Sequence, residues 1–155
     1  MIRIEDAVEV AVPADVAFAF ATRVGDYPAW LPGVLRAEPT EHAAPGDGGT
    51  PAAGAGFRLV SAGPGGIEIV SNGRVEAIEP PRSISISAAS GFFSLTASCT
   101  VEALEPGRSR IGVEAAIEPR GLATLMAGRI EQELRAAVPD TLRRLREAVE
   151  RDVER

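Results

Sequence analysis

His42 and Cys99 are the only histidine and the only cysteine in the chain, and they bound the chemistry it can perform unaided. A zinc-type centre draws three or four ligands from His, Cys and carboxylate side chains. Neither residue stands in such a cluster, so no metal is expected. A cysteine nucleophile needs a nearby base to form its thiolate. Cys99 sits instead in an alternating apolar run and reads as a small hydrophobe. His42 lies in a stretch rich in Gly, Ala and Pro and reads as solvated. The chain contains no lysine, which removes Schiff-base chemistry on lysine. The turn Gly63-Pro64-Gly65-Gly66 has no Walker pattern, so phosphate binding is not expected. No catalytic residue is assigned, and no cofactor is expected. Tyr27 and Trp30 remain of interest, because each joins an apolar body to a polar tip.

The elements that would position these residues are mostly strands. Ile2, Ile4, Val8, Val10 and Val12 alternate with polar or small residues, the period of a strand with one buried face. Asp6 interrupts the apolar side. Pro13 and Asp15 suit the first turn of a short helix from about Pro13 to Thr22, with Val16, Ala19, Phe20 and Arg23 on one side. One more helical turn fits between Asp26 and Gly33. Val34 to Thr40 reads as an edge strand and Glu41 to Gly54 as a long loop. Four alternating runs follow, separated by Gly/Pro turns. Their inward sets are Phe57, Leu59 and Ser61; Ile67, Ile69, Ser71, Gly73, Val75 and Ala77; Ile84, Ile86 and Ala88; Phe93, Leu95, Ala97, Cys99, Val101 and Ala103. Ile111, Val113, Ala115 and Ile117 close the series. Hairpins in this order make an antiparallel sheet with one dry face. Arg58, Arg74 and Arg110 fall on the wet face, where Glu68, Glu76 and Glu114 are the expected partners. A bulge at Gly73 would turn Asn72 or Arg74 inward.

Residues 120–155 read as one long helix. Leu122, Leu125, Met126, Ile130, Leu134, Val138, Leu142, Leu145 and Val149 recur at gaps of three and four. Glu131–Arg135 and Glu147–Arg151 are candidate i,i+4 pairs. Four-residue steps make the apolar stripe wind, and Pro139 should bend the helix, which suits a curved sheet as partner. Leu134 and Val138 are expected to be buried by that sheet. Gly121 and Gly128 weaken the first turns, so residues 121–128, facing the Tyr27–Leu31 turn, are the expected gate to the interior.

The bulk composition narrows the partners. A chain of 155 residues fits one domain, 1–155. The net charge of −6 disfavours nucleic acid and anionic membrane surfaces alike. No apolar run approaches a membrane span, so no membrane insertion is expected. A charged N-terminus and a single cysteine point to the cytoplasm.

Strand, two short helices, about six strands and a long helix form an α+β order that resembles the START and polyketide-cyclase superfamily, the helix-grip fold of bacterial and other proteins. The resemblance is carried by Val10-Ala11-Val12-Pro13-Ala14-Asp15-Val16-Ala17-Phe18, Asp26-Tyr27-Pro28-Ala29-Trp30-Leu31-Pro32, Val75-Glu76-Ala77-Ile78-Glu79-Pro80-Pro81 and the terminal helix. Pro45-Gly46-Asp47-Gly48-Gly49 also looks like the glycine-rich loop of the plant pathogenesis-related members, without its lysine. The resemblance implies a seven-stranded curved antiparallel sheet wrapped around the helix, with a ligand cavity between them. Tyr27, Trp30, Phe57, Leu59, Ile69, Ile84, Ile86, Phe93, Leu95, Ile111, Val113, Leu122, Leu125, Met126 and Ile130 would line it. The same side chains could instead pack simply as core. The function read from this is binding or carriage of a small hydrophobic molecule, lipid- or polyketide-like. Two alternatives stay open. One is a polyketide cyclase/dehydratase-type enzyme, a lyase without metal or cofactor. The other is a redox-enzyme accessory protein like the carbon monoxide dehydrogenase accessory subunits, for which a protein partner is allowed.

Overall fold

The computed structural model describes residues 1–31, 33–40, 51–62 and 66–153. His42, Pro32, most of the Glu41–Gly54 loop and the core of the Gly63–Gly66 turn lie outside the described residues. The element order is β1 (Ile2–Val10), α1 (Ala14–Thr22), a 3-10 segment (Val24–Ala29), β2 (Val34–Pro39), β3 (Gly56–Ala62), β4 (Glu68–Glu79), β5 (Ser83–Ala89), β6 (Phe93–Glu105), β7 (Arg108–Pro119), a second 3-10 segment (Gly121–Met126) and α2 (Ala127–Val153). The strands form one seven-stranded sheet in the order β1-β7-β6-β5-β4-β3-β2, with every neighbouring pair antiparallel. This is the helix-grip arrangement.

Topology explains where the core sits. β1 and β2 are adjacent in sequence but occupy opposite edges of the sheet. The chain between them must cross one end of the concave face. α1 and the first 3-10 segment do so and are covered on more than one side: Ala17, Phe18, Phe20, Ala21, Val24 and Tyr27 are all buried. The single apolar side expected for α1 was too narrow for this sandwiched position. Its hydrogen bonds are local. Ala17 N–H donates to the Pro13 carbonyl at 3.0 Å, and the Thr22 hydroxyl donates back to the Phe18 carbonyl at 2.8 Å.

Register shifts curl the sheet between Val34 and Arg36, Val75 and Ala77, and Ala103 and Glu105. The second corrects the alternation expected for β4. The extra residue falls at Glu76 rather than Gly73, so Arg74 stays outward, opposite Ser87. Beyond the bulge Ile78, opposite Ile84, packs on the core, while Ala77 turns out to solvent. Gly73 fills another need. A Cβ there would overlap the Phe57 ring and come within 2.9 Å of the Ser87 carbonyl, so the aromatic ring lies directly on the strand. On the outer face the ion pairs differ from the expected set. Arg58 meets Glu38 at 3.5 Å, Arg36 meets Glu68 at 3.0 Å, and Arg110 sits 3.5 Å from both Glu9 and Glu102. Arg74 clamps Glu76 at 3.0 Å, but along β4 rather than across strands as expected.

The terminal helix is two unequal halves. Leu142, Leu145 and Val149 are buried, whereas Leu134 and Val138 are only half-buried, so the centre of burial lies nearer the C-terminus than the sequence suggested. Two polar contacts pin that end: Ala11 N–H donates to Glu150 at 2.8 Å, and Arg23 bonds Asp152 at 2.9 Å. Arg23 Nε also lies 2.8 Å from Asp26, but makes no aligned hydrogen bond, so that contact is an ion pair only. The helix runs on through Pro139. Glu131–Arg135 forms at 2.9 Å; Glu147 pairs with Arg143 at 3.1 Å instead of Arg151. The other end starts late. Residues 121–126 are 3-10 rather than α, entered through Gly121 at φ 58°, a left-handed conformation that favours glycine. Leu122 and Leu125 are 79% and 84% exposed. Arg120 N–H donates to the Phe92 carbonyl at 2.8 Å, so this segment begins beside the turn before Phe93.

This asymmetry has a dynamic consequence. Amides of residues 127–134 should exchange with solvent hydrogen well before those of 142–149. Gly128→Ala should slow exchange in the first half about fivefold. A Cβ there meets nothing within 4 Å, and alanine favours helix by roughly 1 kcal/mol over glycine. Uniform protection along α2 would contradict the picture.

Candidate functional site

The candidate site is the concave face, and the structure divides it. At one end α1, the first 3-10 segment and the last turns of α2 close over Val10, Phe57, Val75, Cys99, Val101 and Ile111. Tyr27 anchors this end. Its ring stands edge-on to Trp30 at 6.1 Å and to Phe57 at 6.0 Å between centroids. At the other end the sheet continues but its cover thins. Register puts Ile69, Ile86, Leu95, Ala97, Val113, Ala115 and Ile117 on the same face, and every one of them is only half-buried. In the less buried half of α2, Ile130 and Leu134 are likewise half-buried.

The fifteen residues expected to line a cavity fall into three groups. Tyr27, Trp30, Phe57, Leu59, Ile84 and Ile111 are buried within the packed end. Ile69, Ile86, Phe93, Leu95, Val113 and Ile130 are the half-buried group around the open trough. Leu122, Leu125 and Met126 stand exposed on the second 3-10 segment, beside the exposed Phe92. Sequence parity could assign a face to each strand residue. It could not say which stretch of that face the crossing helices would cover. Ala97, Ala115 and Ile117, inward by alternation but outside the expected lining set, belong with the trough by register.

Charge is scarce on this face. Among the described inward strand positions Asp6, opposite Val113, is the one charged residue, and it is exposed with its carboxylate accepting the Ala7 N–H at 2.8 Å. The alternation of β1 already marked it as the interruption of an apolar row. Cys99 and Tyr27 are ionisable but held neutral. Burial pushes the Cys99 thiol up to about 12. Burial, followed by the proximity of Cys99, raises the Tyr27 phenol further than its ordinary range. A thiol so disposed is a poor nucleophile at neutral pH.

These raised values predict alkaline instability with a definite sign. Below about pH 9 the thiol is neutral in folded and unfolded chains, and stability is complete. Between about pH 9 and 12 the unfolded chain loses the Cys99 proton while the folded chain keeps it. Stability should therefore fall by about 1.4 kcal/mol per pH unit from this residue. Urea titrations of wild type and Cys99→Ala across that window measure it. The variant should have the shallower slope; equal slopes would mean that the thiol is not buried.

A second concavity, a groove of about 340 Å³, lies on the opposite face of the sheet. Asn72, Arg74, Ser87, Ser94, Thr96, Ala116 and Glu118 border it, with Met1 at one end. Ser87 donates to Glu76, which Arg74 also clamps; these bonds hold the Glu76 carboxyl below its usual range. The groove is open, and its lining mixes these side chains with the apolar Ala88, Ala89 and Leu95.

A curved sheet gripping a terminal helix, apolar on its inner face, defines the START-like class. The chain belongs to the family described as polyketide cyclase / dehydrase and lipid transport, which it matches over residues 1–150. No curated protein sequence matches it. Solved structures of the same fold include the Zhui aromatase/cyclase from Streptomyces sp. R1128. That protein is 20% identical, with a TM-score of 0.71, over 97% of this chain and 94% of its own. A START superfamily protein from Mycobacterium smegmatis is 19% identical at a TM-score of 0.68, covering 99% of this chain and 98% of its own. The di-domain ARO/CYC BexL of the BE-7585A biosynthetic pathway is 18% identical at 0.70. The match takes in 97% of this chain but only 47% of BexL, so the chain spans about half of that protein. Likeness at these identities establishes the fold.

Proposed function

We propose that the chain binds or carries a small hydrophobic molecule, lipid- or polyketide-like, in the trough between the sheet and the first half of α2. One observation carries this reading: the inner face is fully packed at one end and left half-covered at the other, where its strand positions are apolar except for Asp6. A row of half-buried Ile, Leu and Val with little charge is the usual lining of an apolar ligand site. The family description, which includes lipid transport, supports it. Native mass spectrometry of freshly purified protein tests the reading. A co-purifying neutral species of a few hundred daltons, released by organic solvent, is expected. A bare protein that also fails to take up apolar probes would refute it.

Catalysis of the cyclase/dehydratase type is the second reading, favoured by the likeness to two aromatase/cyclases. General acid–base work needs an ionisable group in reach of the reacting atom. Asp6 is the one charged residue at the described inward strand positions, and it lies on an edge strand. Turnover of a polyketide-like substrate that Asp6→Asn abolishes, with ligand uptake intact, would favour this reading over carriage.

A further inference from the structure

β1 is an edge strand: β7 pairs with one side of it, and no described strand pairs with the other. Two hydrogen bonds show which of its amides face that open side. Ala7 N–H donates to the Asp6 carboxylate at 2.8 Å, and Ala11 N–H, just beyond the strand, donates to Glu150 at 2.8 Å. Backbone groups of successive strand residues point to alternate sides. Arg3, Glu5, Ala7 and Glu9 therefore turn their N–H and carbonyl groups away from β7. Glu5, Asp6 and Ala7 are all exposed, so the middle of this edge is uncovered. A row of unpaired backbone groups is a template for another strand.

The sequence of β1 is complementary to itself in one register. When two copies run antiparallel about Asp6, all nine residues pair. Ile2 then meets Val10 and Ile4 meets Val8 on the inner face, while Arg3 meets Glu9 on the outer face, each contact occurring twice. Asp6 opposes this pairing in two ways. At the dyad it faces its own copy in a pair without hydrogen bonds, where Cα atoms approach to about 4.5 Å and like charges repel. Its carboxylate also occupies the Ala7 N–H, the donor that the Glu5 carbonyl of the second copy would require. We infer that the free edge of β1 is a pairing surface for a second copy of this chain, and that Asp6 holds it shut. An inward charge on an edge strand is a known guard against such pairing. This role accounts for the one charge among the described inward strand positions and does not depend on the ligand reading.

Sedimentation equilibrium and a single introduced cysteine test it. Wild type should be monomeric at micromolar concentration. Asp6→Val should self-associate at least about a hundredfold more tightly, because it removes the repulsion and frees the Ala7 N–H. Adding Arg3→Glu, which sets glutamates opposite one another, should loosen that dimer at least about tenfold. Asp6→Cys reads the register. A disulfide requires Cα atoms within about 7 Å; the dyad position satisfies this, whereas the two copies of position 7 lie about 8 Å apart. With oxidised glutathione, Asp6→Cys should cross-link at least about tenfold faster than Ala7→Cys, and the buried Cys99 should take no part. A monomeric Asp6→Val, a dimer indifferent to Arg3→Glu, equal cross-linking at the two positions, or a wild type already paired through β1 would each overturn the inference.

Discussion

Leu145→Ala should lower the free energy of unfolding by about 3–5 kcal/mol, while Leu134→Ala should cost no more than about 1–2 kcal/mol. Both leucines stand on the apolar stripe of α2 and are interchangeable by sequence period. Burial separates them. Leu145 is 0% exposed and sits in the cluster with Val10, Val12 and Phe20, whereas Leu134 is half-buried. Truncating a buried leucine loses its transfer free energy and leaves a cavity that neighbours only partly fill, a combined cost of about 2–5 kcal/mol. The pinned end of the helix cannot relax into that space, because Glu150 and Asp152 tie it to Ala11 and Arg23. Leu134 has no such enclosure, and part of its surface already meets water. A domain is stable by only about 5–15 kcal/mol, so Leu145→Ala removes a large share. Chemical denaturation of both variants reads the difference. Equal costs would mean that the two halves of α2 are gripped alike.

Leu95→Arg should abolish saturable uptake of an apolar probe, weakening it at least about a hundredfold, with the fold intact. Leu95 projects from the inner face of β6 between Ala88 and Ile117 and is half-buried outside the packed cluster. Its replacement can therefore reach solvent in the free protein. Bound ligand would close over the guanidinium, and desolvating an unpaired charge costs several kcal/mol; about 2.7 kcal/mol already amounts to a hundredfold. Circular dichroism and the melting transition serve as controls, since the same change at Val101 or Ile111, both buried in the core, would unfold the chain. Undiminished uptake by folded Leu95→Arg would move the site elsewhere.

Much of the architecture was legible from residue order alone. Alternation placed most of the strands, and Pro13 and Gly121 fall at the starts of α1 and of the second 3-10 segment. Side-chain period assigned the inner face correctly except beyond Glu76, where a bulge shifts parity by one. No residue type there announces a bulge, because the valine–glutamate–alanine stretch alternates acceptably in either register. The unequal halves of α2 were hidden for a different reason. Helical period reports which face is apolar, not whether anything covers it. Coverage follows from α1 crossing the sheet at one end, a consequence of β1 and β2 occupying opposite edges.

The central claim is that an apolar ligand occupies the half-covered end of the inner face. Intermolecular NOEs between 2-acetylnaphthalene and methyl-labelled protein test it most directly. Contacts to the methyls of Ile69, Ile86, Leu95, Val113 and Ile130, with none to Val149 in the packed end, are the predicted result. Contacts confined to Thr96 and Ala116, in the groove on the opposite face, would contradict it.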